Sequence, residues 1–297
     1  MSDDGRRALS VGETVKADRP SRMGARPGLP LQRPPVPPTS AAGHWPRLSV
    51  IIPTLNEGLN IGPVLDELPD DLFEVIVVDG RSTDDTVANA LAARPDCRIV
   101  QQTGRGKGDA LTCGFAAARG DIIITLDADG SADPAEIPVF VGALLAGADF
   151  SKGSRHLVGG GSSDLTRLRG AGNRALGLLV NLLYRTSFTD LCYGYNAFWR
   201  DCLPALSLDC PGFEIETLMN IRAVKSGLRV SEVPSYERDR RHGTSNLNAV
   251  SDGLRVLRTI LRERRSGSPP AAARPRILRA PVGADSPTAA ASERSPD

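Results

Sequence analysis

Two carboxylates separated by one residue, in the segment Asp127-Ala128-Asp129, are the residues of this sequence best suited to chemistry. They follow an apolar run. At the end of an extended strand the side chains of alternate residues point the same way, so both carboxylates can reach one ion. Hard divalent cations such as Mg2+ and Mn2+ bind carboxylate oxygens together with substrate phosphates. The segment therefore predicts a metal site, whereas a polar turn is the plainer interpretation of these residues taken alone.

The elements that must position this pair alternate between strand and helix. Short continuous apolar runs, which are typical of strands buried on both faces, cover residues 48–53, 73–78, 98–101 and 121–126. Helical patterns lie between them, over residues 60–68, after a cap at Thr83 or Asp84, and over residues 108–118. This order predicts an α/β domain with a mostly parallel central sheet and helices on both faces.

Polar residues follow three of these strands. Residues 54–57 follow the first strand, residues 79–84 the second and residues 127–129 the fourth. Because ligands of open α/β sheets bind outside the carboxyl ends of the strands, we expect the three groups to meet in one crevice. A single acidic loop is usually a solvated turn, but three loops at the same place in the topology indicate a site.

Two further segments carry positive charge suited to phosphate. Residues 104–108 read Gly-Arg-Gly-Lys-Gly and precede a helix, so backbone N–H groups and Lys107 can face a phosphate. Their spacing is not that of a Walker loop. Arg155 ends the segment Lys-Gly-Ser-Arg and is able to bind a phosphate through two parallel hydrogen bonds. An ordinary glycine turn and a surface arginine are the alternative interpretations.

The composition argues against several classes of protein. A formal net charge of +1 and an aromatic content of 4% do not fit a general nucleic-acid binder. The five cysteines form no CxxC pair, so we expect small buried side chains in a reducing compartment. No apolar run is long enough to cross a bilayer, and the N-terminus lacks a secretory signal. We therefore expect a cytoplasmic chain, soluble or peripheral on the inner face of the membrane.

The two ends of the chain differ from its middle. Proline, arginine and serine dominate residues 1–46 and 266–297, which predicts disorder there and a folded domain over residues 47–265. The last helix, over residues 250–265, is basic and carries one apolar stripe, formed by Val250, Leu254, Leu257 and Leu261. Such a stripe either docks on anionic lipid or packs against its own domain.

Five motifs occur in order, at residues 50–57, 77–86, 106–108, 126–129 and 153–155. They resemble the motifs of family 2 glycosyltransferases with the GT-A fold, the fold of nucleotide-diphospho-sugar transferases. Three later segments are similar to those of the dolichyl- or polyprenyl-phosphate mannosyltransferase and glucosyltransferase group, at residues 190–198, 212–216 and 240–245. The resemblance covers about residues 48–245 and implies Mg2+ or Mn2+ as the cofactor.

The resemblance also implies roles for individual residues. It assigns binding of the nucleotide-sugar donor to Pro53, Leu55, Glu57, Asp79, Lys107, Asp127, Ala128 and Arg240. It assigns metal ligation to Asp127, Asp129 and Ser131, and catalysis to Asp129, Arg155 and Glu216. Arg155 and Arg240 fall where basic residues contact the donor diphosphate or the acceptor phosphate.

Three positions depart from the family pattern. Leu55 replaces an aromatic residue, which removes stacking on the nucleobase. Ser131 stands where the lipid-phosphate group commonly has glutamine, and Asn246 where lysine often follows. These changes bear on the acceptor more than on the donor.

We expect transfer of a hexose from a donor of the GDP-mannose or UDP-glucose type to polyprenyl or dolichyl phosphate, by direct displacement with inversion. A phosphate acceptor is already an anion and needs no general base, whereas a hydroxyl acceptor would need one, for which Glu214 and Glu216 are candidates. The alternative explanation of both carboxylates is that the helix dipole stabilises them; it is favoured for Glu214, whereas the family resemblance supports a role for Glu216.

The main alternative keeps the donor chemistry but uses a soluble acceptor, such as a glycerate-type metabolite or a natural product. A sugar-1-phosphate nucleotidyltransferase would carry a basic glycine-rich loop in place of residues 53–57. A binding module without activity would not need Asp79, Asp127, Asp129 and Arg155 together.

Overall fold

The computed structural model describes residues 45–244 and 248–267. Asn246 and most of the two segments predicted to be disordered lie outside these residues. The described strands are β1 (Leu48–Thr54), β2 (Glu74–Asp79), β3 (Arg98–Gln101), β4 (Ile122–Thr125), β5 (Phe150–Ser154), β6 (Gly161–Ser162), β7 (Asn196–Trp199), β8 (Val230–Pro234) and β9 (Tyr236–Glu237). The described helices are α1 (Gly58–Asp66), α2 (Thr86–Ala93), α3 (Lys107–Ala117), α4 (Ile137–Leu145), α5 (Arg167–Tyr184), α6 (Leu203–Leu206), α7 (Ile215–Lys225) and α8 (Ala249–Arg265).

Seven strands form the central sheet, in the order β3-β2-β1-β4-β7-β5-β8. Strands β3, β2, β1 and β4 run parallel, which confirms the mostly parallel sheet predicted from the sequence. Strand β7 is antiparallel to both of its neighbours, β4 and β5. Strand β7 is not among the strands predicted from the sequence.

Two cores cover the two faces of the sheet, as the alternation of side chains along a strand requires. Val50 and Ile52 of β1 pack with Ile61 of α1 and Phe140 of α4. Ile51 points to the other face, among residues of α3, α6 and α7. All of these strand side chains are fully buried, and each contributes roughly 1.5–3 kcal/mol to folding.

A third core joins α5, α7 and α8. It contains Val180, Ile221, Val256 and Ile260, and the Tyr184 hydroxyl donates a hydrogen bond of 2.8 Å to the carbonyl of Ile260. Helix α8 thus packs on its own domain through one face. The apolar stripe predicted for this helix lies on a different face, where Val250, Leu254 and Leu261 are exposed.

Within the part of the chain that the structure describes, no helix has both the length and the apolar character needed to cross a membrane. All five cysteines are free thiols, and three of them are buried: Cys97, Cys202 and Cys210.

Candidate active site

A cleft of about 740 Å3 lies at the carboxyl ends of β1, β2 and β4. The three polar groups that follow these strands all contribute to its wall, which confirms that they meet in one crevice. Their lining residues are Thr54, Leu55 and Glu57, then Gly80 and Arg81, and then Asp127, Ala128 and Asp129. Pro53, Lys107, Ser131, Arg155, Glu216 and Arg240 line the same cleft.

Lys107 joins two of the predicted site residues. Its ammonium nitrogen lies 2.7 Å from Asp127 Oδ1 and 2.7 Å from Glu216 Oε1. Gly106, with φ of 87°, turns the chain into α3 immediately before this lysine, in a backbone conformation that a side chain would strain. The Gly-rich loop predicted to face phosphate therefore presents its lysine to residues 127–129, the segment predicted to bind metal, which we call the metal motif.

Gly194 allows this close arrangement. A Cβ atom at this position would lie 2.8 Å from Lys107 Nζ, 3.2 Å from Glu216 Oε1 and 3.3 Å from Asp127 Oδ2. A side chain at this position would push the three charged groups apart, with Lys107 Nζ displaced first. This role could not be predicted from the sequence, because Gly194 is separated along the chain from Lys107, Asp127 and Glu216.

Arg240 forms a second bridge of the same kind. One terminal nitrogen of its guanidinium lies 2.8 Å from Glu57 Oε1, and the other lies 2.9 Å from Asp129 Oδ2. The adjacent Arg241 donates its backbone N–H to the Asp129 carbonyl at 3.2 Å. Through these contacts, the segment that follows β9 binds to Asp129 of the metal motif.

The protonation of these groups follows from burial and from the charges around them. Burial alone would lower the pKa of Lys107, but Asp127 and Glu216 outweigh it and raise that pKa. Burial raises the pKa of Glu216, because Lys107 offsets only part of the cost of holding this carboxylate out of water. Lys107 therefore stays protonated.

The residues present fit a divalent metal ion. The carboxylates of Asp127 and Asp129 are hard oxygen donors of the kind that such ions prefer, and both line the cleft. The Ser131 N–H donates to Asp129 Oδ1 at 3.0 Å, which orients that carboxylate. No cluster of three or more acidic, histidine or cysteine ligands occurs in residues 45–244 or 248–267. Substrate oxygens would have to complete the coordination.

Arg155 has partners that the sequence did not predict. Its Nε lies 2.7 Å from Asp190 Oδ2, its NH1 lies 3.0 Å from Glu237 Oε2, and its guanidinium stacks over the Tyr193 ring at 4.9 Å. Burial lowers the pKa of Arg155, but Asp190 and Glu237 outweigh it and raise that pKa. A phosphate clamp at Arg155, as predicted, requires one of these ion pairs to open.

The Asp79 carboxylate accepts hydrogen bonds from neighbouring groups of the protein. Only 4% of the residue is exposed, and its oxygens accept hydrogen bonds from the N–H groups of Arg81 and Ser82 at 3.2 and 3.1 Å. The Gln101 side chain donates a third hydrogen bond, at 3.2 Å. Asp79 shapes the loop whose next two residues line the cleft. Its contact with the nucleobase stays a prediction.

The cleft continues beyond the charged site between α5 and α8. This extension, which we call the apolar arm, is lined by Leu165, Leu168, Leu176, Val250 and Val256. Asn173 of α5 anchors its base, donating to Asp190 Oδ1 at 2.9 Å and accepting from the Leu191 N–H at 3.2 Å. Sequence reasoning missed the arm and Asn173, because the lining comes from two helices that meet only in the folded chain.

Comparison with known proteins identifies the family of the chain. The family described as glycosyl transferase family 2 matches residues 49–205. An undecaprenyl-phosphate mannosyltransferase of Micrococcus luteus is 33% identical over 225 residues, 71% of this chain and 91% of that protein. A polyprenol monophosphomannose synthase of Mycolicibacterium smegmatis is 32% identical over 217 residues, 68% and 81% of the two chains.

Solved structures show the same fold. Glucosyl-3-phosphoglycerate synthase from Mycobacterium tuberculosis, in complex with Mn2+, uridine diphosphate and glucosyl-3-phosphoglycerate, superposes with a TM-score of 0.61. It is 27% identical in sequence, and the match covers 81% of this chain and 86% of that one. The chain belongs to glycosyl transferase family 2 and is a hexosyltransferase with the GT-A fold.

Proposed function

We propose that the protein transfers a hexose from a nucleotide-diphospho-sugar to a polyprenyl or dolichyl phosphate, by direct displacement with inversion. The observation that carries this proposal is the apolar arm, whose lining includes the exposed Leu168 and Val250; we take these two residues as its mouth. A soluble acceptor would have no use for an apolar channel of this kind, whereas a prenyl chain gains free energy by leaving water. The similarity to the mannosyltransferases of Micrococcus luteus and Mycolicibacterium smegmatis supports the same acceptor.

The donor lies in the charged part of the cleft in this proposal. Pro53, Leu55 and Glu57 line the end that takes the nucleoside, and Lys107 and Arg240 face the diphosphate. Asp127, Asp129 and Ser131 would hold Mg2+ or Mn2+. The ion, when bound, neutralises charge that grows on the departing diphosphate. The structure of glucosyl-3-phosphoglycerate synthase in complex with Mn2+ and uridine diphosphate supports the use of a divalent metal together with a nucleotide.

The reaction exchanges one bond to the sugar for another. An oxygen of the acceptor phosphate forms a bond to C1 of the hexose as the bond from C1 to the diphosphate oxygen breaks. The nucleoside diphosphate leaves with the electron pair, and attack from the opposite side inverts the configuration at C1. The acceptor oxygen is already an anion, so no proton has to be removed.

Basic residues at the base of the arm are suited to hold the acceptor phosphate. Arg155 and Arg169 both line the cleft there. Arg169 pairs with Asp164 at 3.1 Å in a partly exposed ion pair and can exchange this partner for the phosphate, whereas Arg155 contributes its charge from within its buried ion pairs. Glu216 is bound to Lys107 and is almost fully buried. In a reaction that needs no base, its role is to hold that lysine.

One face of α5 supports peripheral binding at the inner face of a membrane. Its apolar side chains recur at spacings of three and four residues and are all exposed; we call this set, Leu168, Ala171, Ala175, Leu178 and Leu182, the α5 stripe. Exposed arginines flank it, and the exposed Val250 of α8 lies with Leu168 at the mouth of the arm. Apolar side chains rimmed by arginine fit the surface of an anionic bilayer.

Nucleotide release from a panel of donors tests the proposal. The protein is incubated with Mg2+ or Mn2+ and with GDP- and UDP-linked hexoses, with and without polyprenyl phosphate. Release that requires the lipid phosphate supports the proposal. The structural similarity to glucosyl-3-phosphoglycerate synthase makes a small phosphorylated hydroxyl acid the second candidate acceptor. Turnover on such an acceptor alone would overturn the lipid assignment and leave the donor chemistry standing.

A further inference from the structure

The two bridges in the cleft share one design. Lys107 lies between Asp127 of the metal motif and Glu216, and Arg240 lies between Asp129 of the same motif and Glu57. Each cation therefore touches one predicted metal ligand and one carboxylate from a different element. We call Glu216 and Glu57 the outer carboxylates. Both are more buried than Asp127, since their side chains are 4% and 12% exposed against 36%.

The charges in this group explain why the outer carboxylates matter. Two cations face four carboxylates, so each cation divides its attraction between two partners. A divalent ion at Asp127 and Asp129 competes with Lys107 and Arg240 for these two carboxylates only, and not for the outer carboxylates. Without the outer carboxylates, each cation would have no partner but a metal ligand and would compete with the ion at full strength. With them, each cation keeps a partner when the ion arrives.

We propose that Glu216 and Glu57 are positioning residues, which withdraw Lys107 and Arg240 from the metal motif and hold them where they meet the donor diphosphate. The proposal rests on the donor and metal chemistry described above. It makes metal binding and diphosphate binding cooperative, because the same two cations are released by the metal and used by the phosphates. It requires no proton transfer by either glutamate.

The simpler explanation is that any carboxylate near the cleft attracts the metal by its charge. The two explanations differ in how the effect of Glu216 depends on Lys107. If Glu216 acts only by charge, its neutralisation weakens metal binding equally whether or not Lys107 is present. If it acts through Lys107, the effect disappears when the lysine is removed. A double-mutant cycle separates these cases.

The test measures Mn2+ binding to the purified chain by electron paramagnetic resonance, with no acceptor present. The variants are Lys107→Gln, Glu216→Gln and their combination. Glu214→Gln is the matched control, because Glu214 lies at the start of the same helix and makes no ion pair with Lys107 among the described residues. Thermal melting of each variant confirms that it is folded.

We expect Lys107→Gln to tighten Mn2+ binding and Glu216→Gln to weaken it roughly fivefold or more. In the Lys107→Gln background, the Glu216→Gln change should have less than a third of that effect, and Glu214→Gln should leave binding within about twofold. An equal effect of Glu216→Gln in both backgrounds would overturn the proposal while the donor chemistry stands. Failure of the unmodified chain to bind Mn2+ even with UDP or GDP would overturn both.

The second bridge gives an independent test of the same design. Arg240→Gln and Glu57→Gln form the corresponding cycle, and Glu67→Gln is its control, because Glu67 pairs with the neighbouring Arg238 and Arg241 instead. The binding of UDP and GDP in the presence of Mn2+ is the second readout. We expect Glu57→Gln to weaken nucleotide binding severalfold and Glu67→Gln to leave it unchanged. Equal losses in both variants would contradict a specific role for Glu57.

Discussion

The two halves of the cleft hold their charged groups in different ways. In the donor half, the inner partners of the two bridges, Asp127 and Asp129, are 36% and 15% exposed and line the open cleft, whereas the outer partner Glu216 is only 4% exposed. In the acceptor half, Arg155 and Asp190 are 5% and 0% exposed, and the pair is closed in by Glu237 and Asn173. Ion pairs near water exchange partners at low cost, whereas breaking a buried pair leaves a charge without compensation. The inner ion pairs of the donor half can thus rearrange on binding, whereas Arg155 and Asp190 form a fixed part of the wall of the acceptor half.

The largest effect that we predict lies in the donor half. Asp129→Ala removes a proposed metal ligand and the inner partner of Arg240, so activity should fall by about a hundredfold to a thousandfold. Nucleotide release with Mn2+ and lipid phosphate measures it. Asp71→Ala, at an exposed position far from the cleft, is the control and should keep full activity. An Asp129→Ala variant with unchanged activity would refute the metal assignment.

The acceptor half should show the larger effect on stability. Arg155→Met leaves Asp190 buried without its main partner, which should lower the free energy of unfolding by about 3 kcal/mol. Arg169→Met removes an ion pair that is partly exposed and should cost less than about 1 kcal/mol. Chemical denaturation of the two variants gives the comparison. Equal losses would mean that the wall is no more rigid than the rest of the cleft.

Membrane binding should depend on the α5 stripe. Replacing Leu178 and Leu182, which are 70% and 79% exposed, by glutamate should weaken binding to vesicles that contain anionic lipid about tenfold or more. Leu59→Glu is the matched control, because Leu59 of α1 is 72% exposed and lies on another element. Flotation with vesicles measures binding. A loss in the control as large as in the α5 variant would contradict a specific docking face.

The smallest effect that we predict concerns the nucleobase. Leu55 lines the nucleoside end of the cleft and is 47% exposed, so a larger ring has room there. Leu55→Tyr should restore stacking on the base and tighten nucleotide binding about twofold to fivefold. Titration calorimetry with UDP and GDP measures the change. Weaker binding of both nucleotides would place the base elsewhere in the cleft.

The same division explains how much the sequence predicted. The donor half consists of loops that directly follow strands β1, β2 and β4. The pattern of strands in the sequence is therefore enough to predict that Glu57, Asp127 and Asp129 lie in one crevice. The rule that ligands bind at the carboxyl ends of parallel strands needs only the order of the elements. The predicted strands and the mostly parallel sheet are confirmed, because the apolar runs and their order along the chain are enough to predict both.

The acceptor half could not be predicted in this way. Its lining comes from faces of α5 and α8, and a helical period shows which side chains share a face but not what lies opposite them. Arg155 illustrates the limit. Its sequence context predicts a residue that binds phosphate, whereas in the structure its guanidinium pairs with Asp190, 35 residues later. Gly194 is a second example, since its role depends on three side chains brought together by the fold.

The nature of the product tests the proposed function most directly. The protein is incubated with Mn2+, a mixture of GDP-mannose and UDP-glucose, and a polyprenyl phosphate in detergent, with 3-phosphoglycerate as a competing acceptor. Phosphorus NMR then follows both acceptors. We predict that the lipid phosphomonoester is converted to a phosphodiester while nucleoside diphosphate accumulates. An unchanged lipid phosphate, with the sugar attached instead to the hydroxyl of the soluble acceptor, would contradict the proposal.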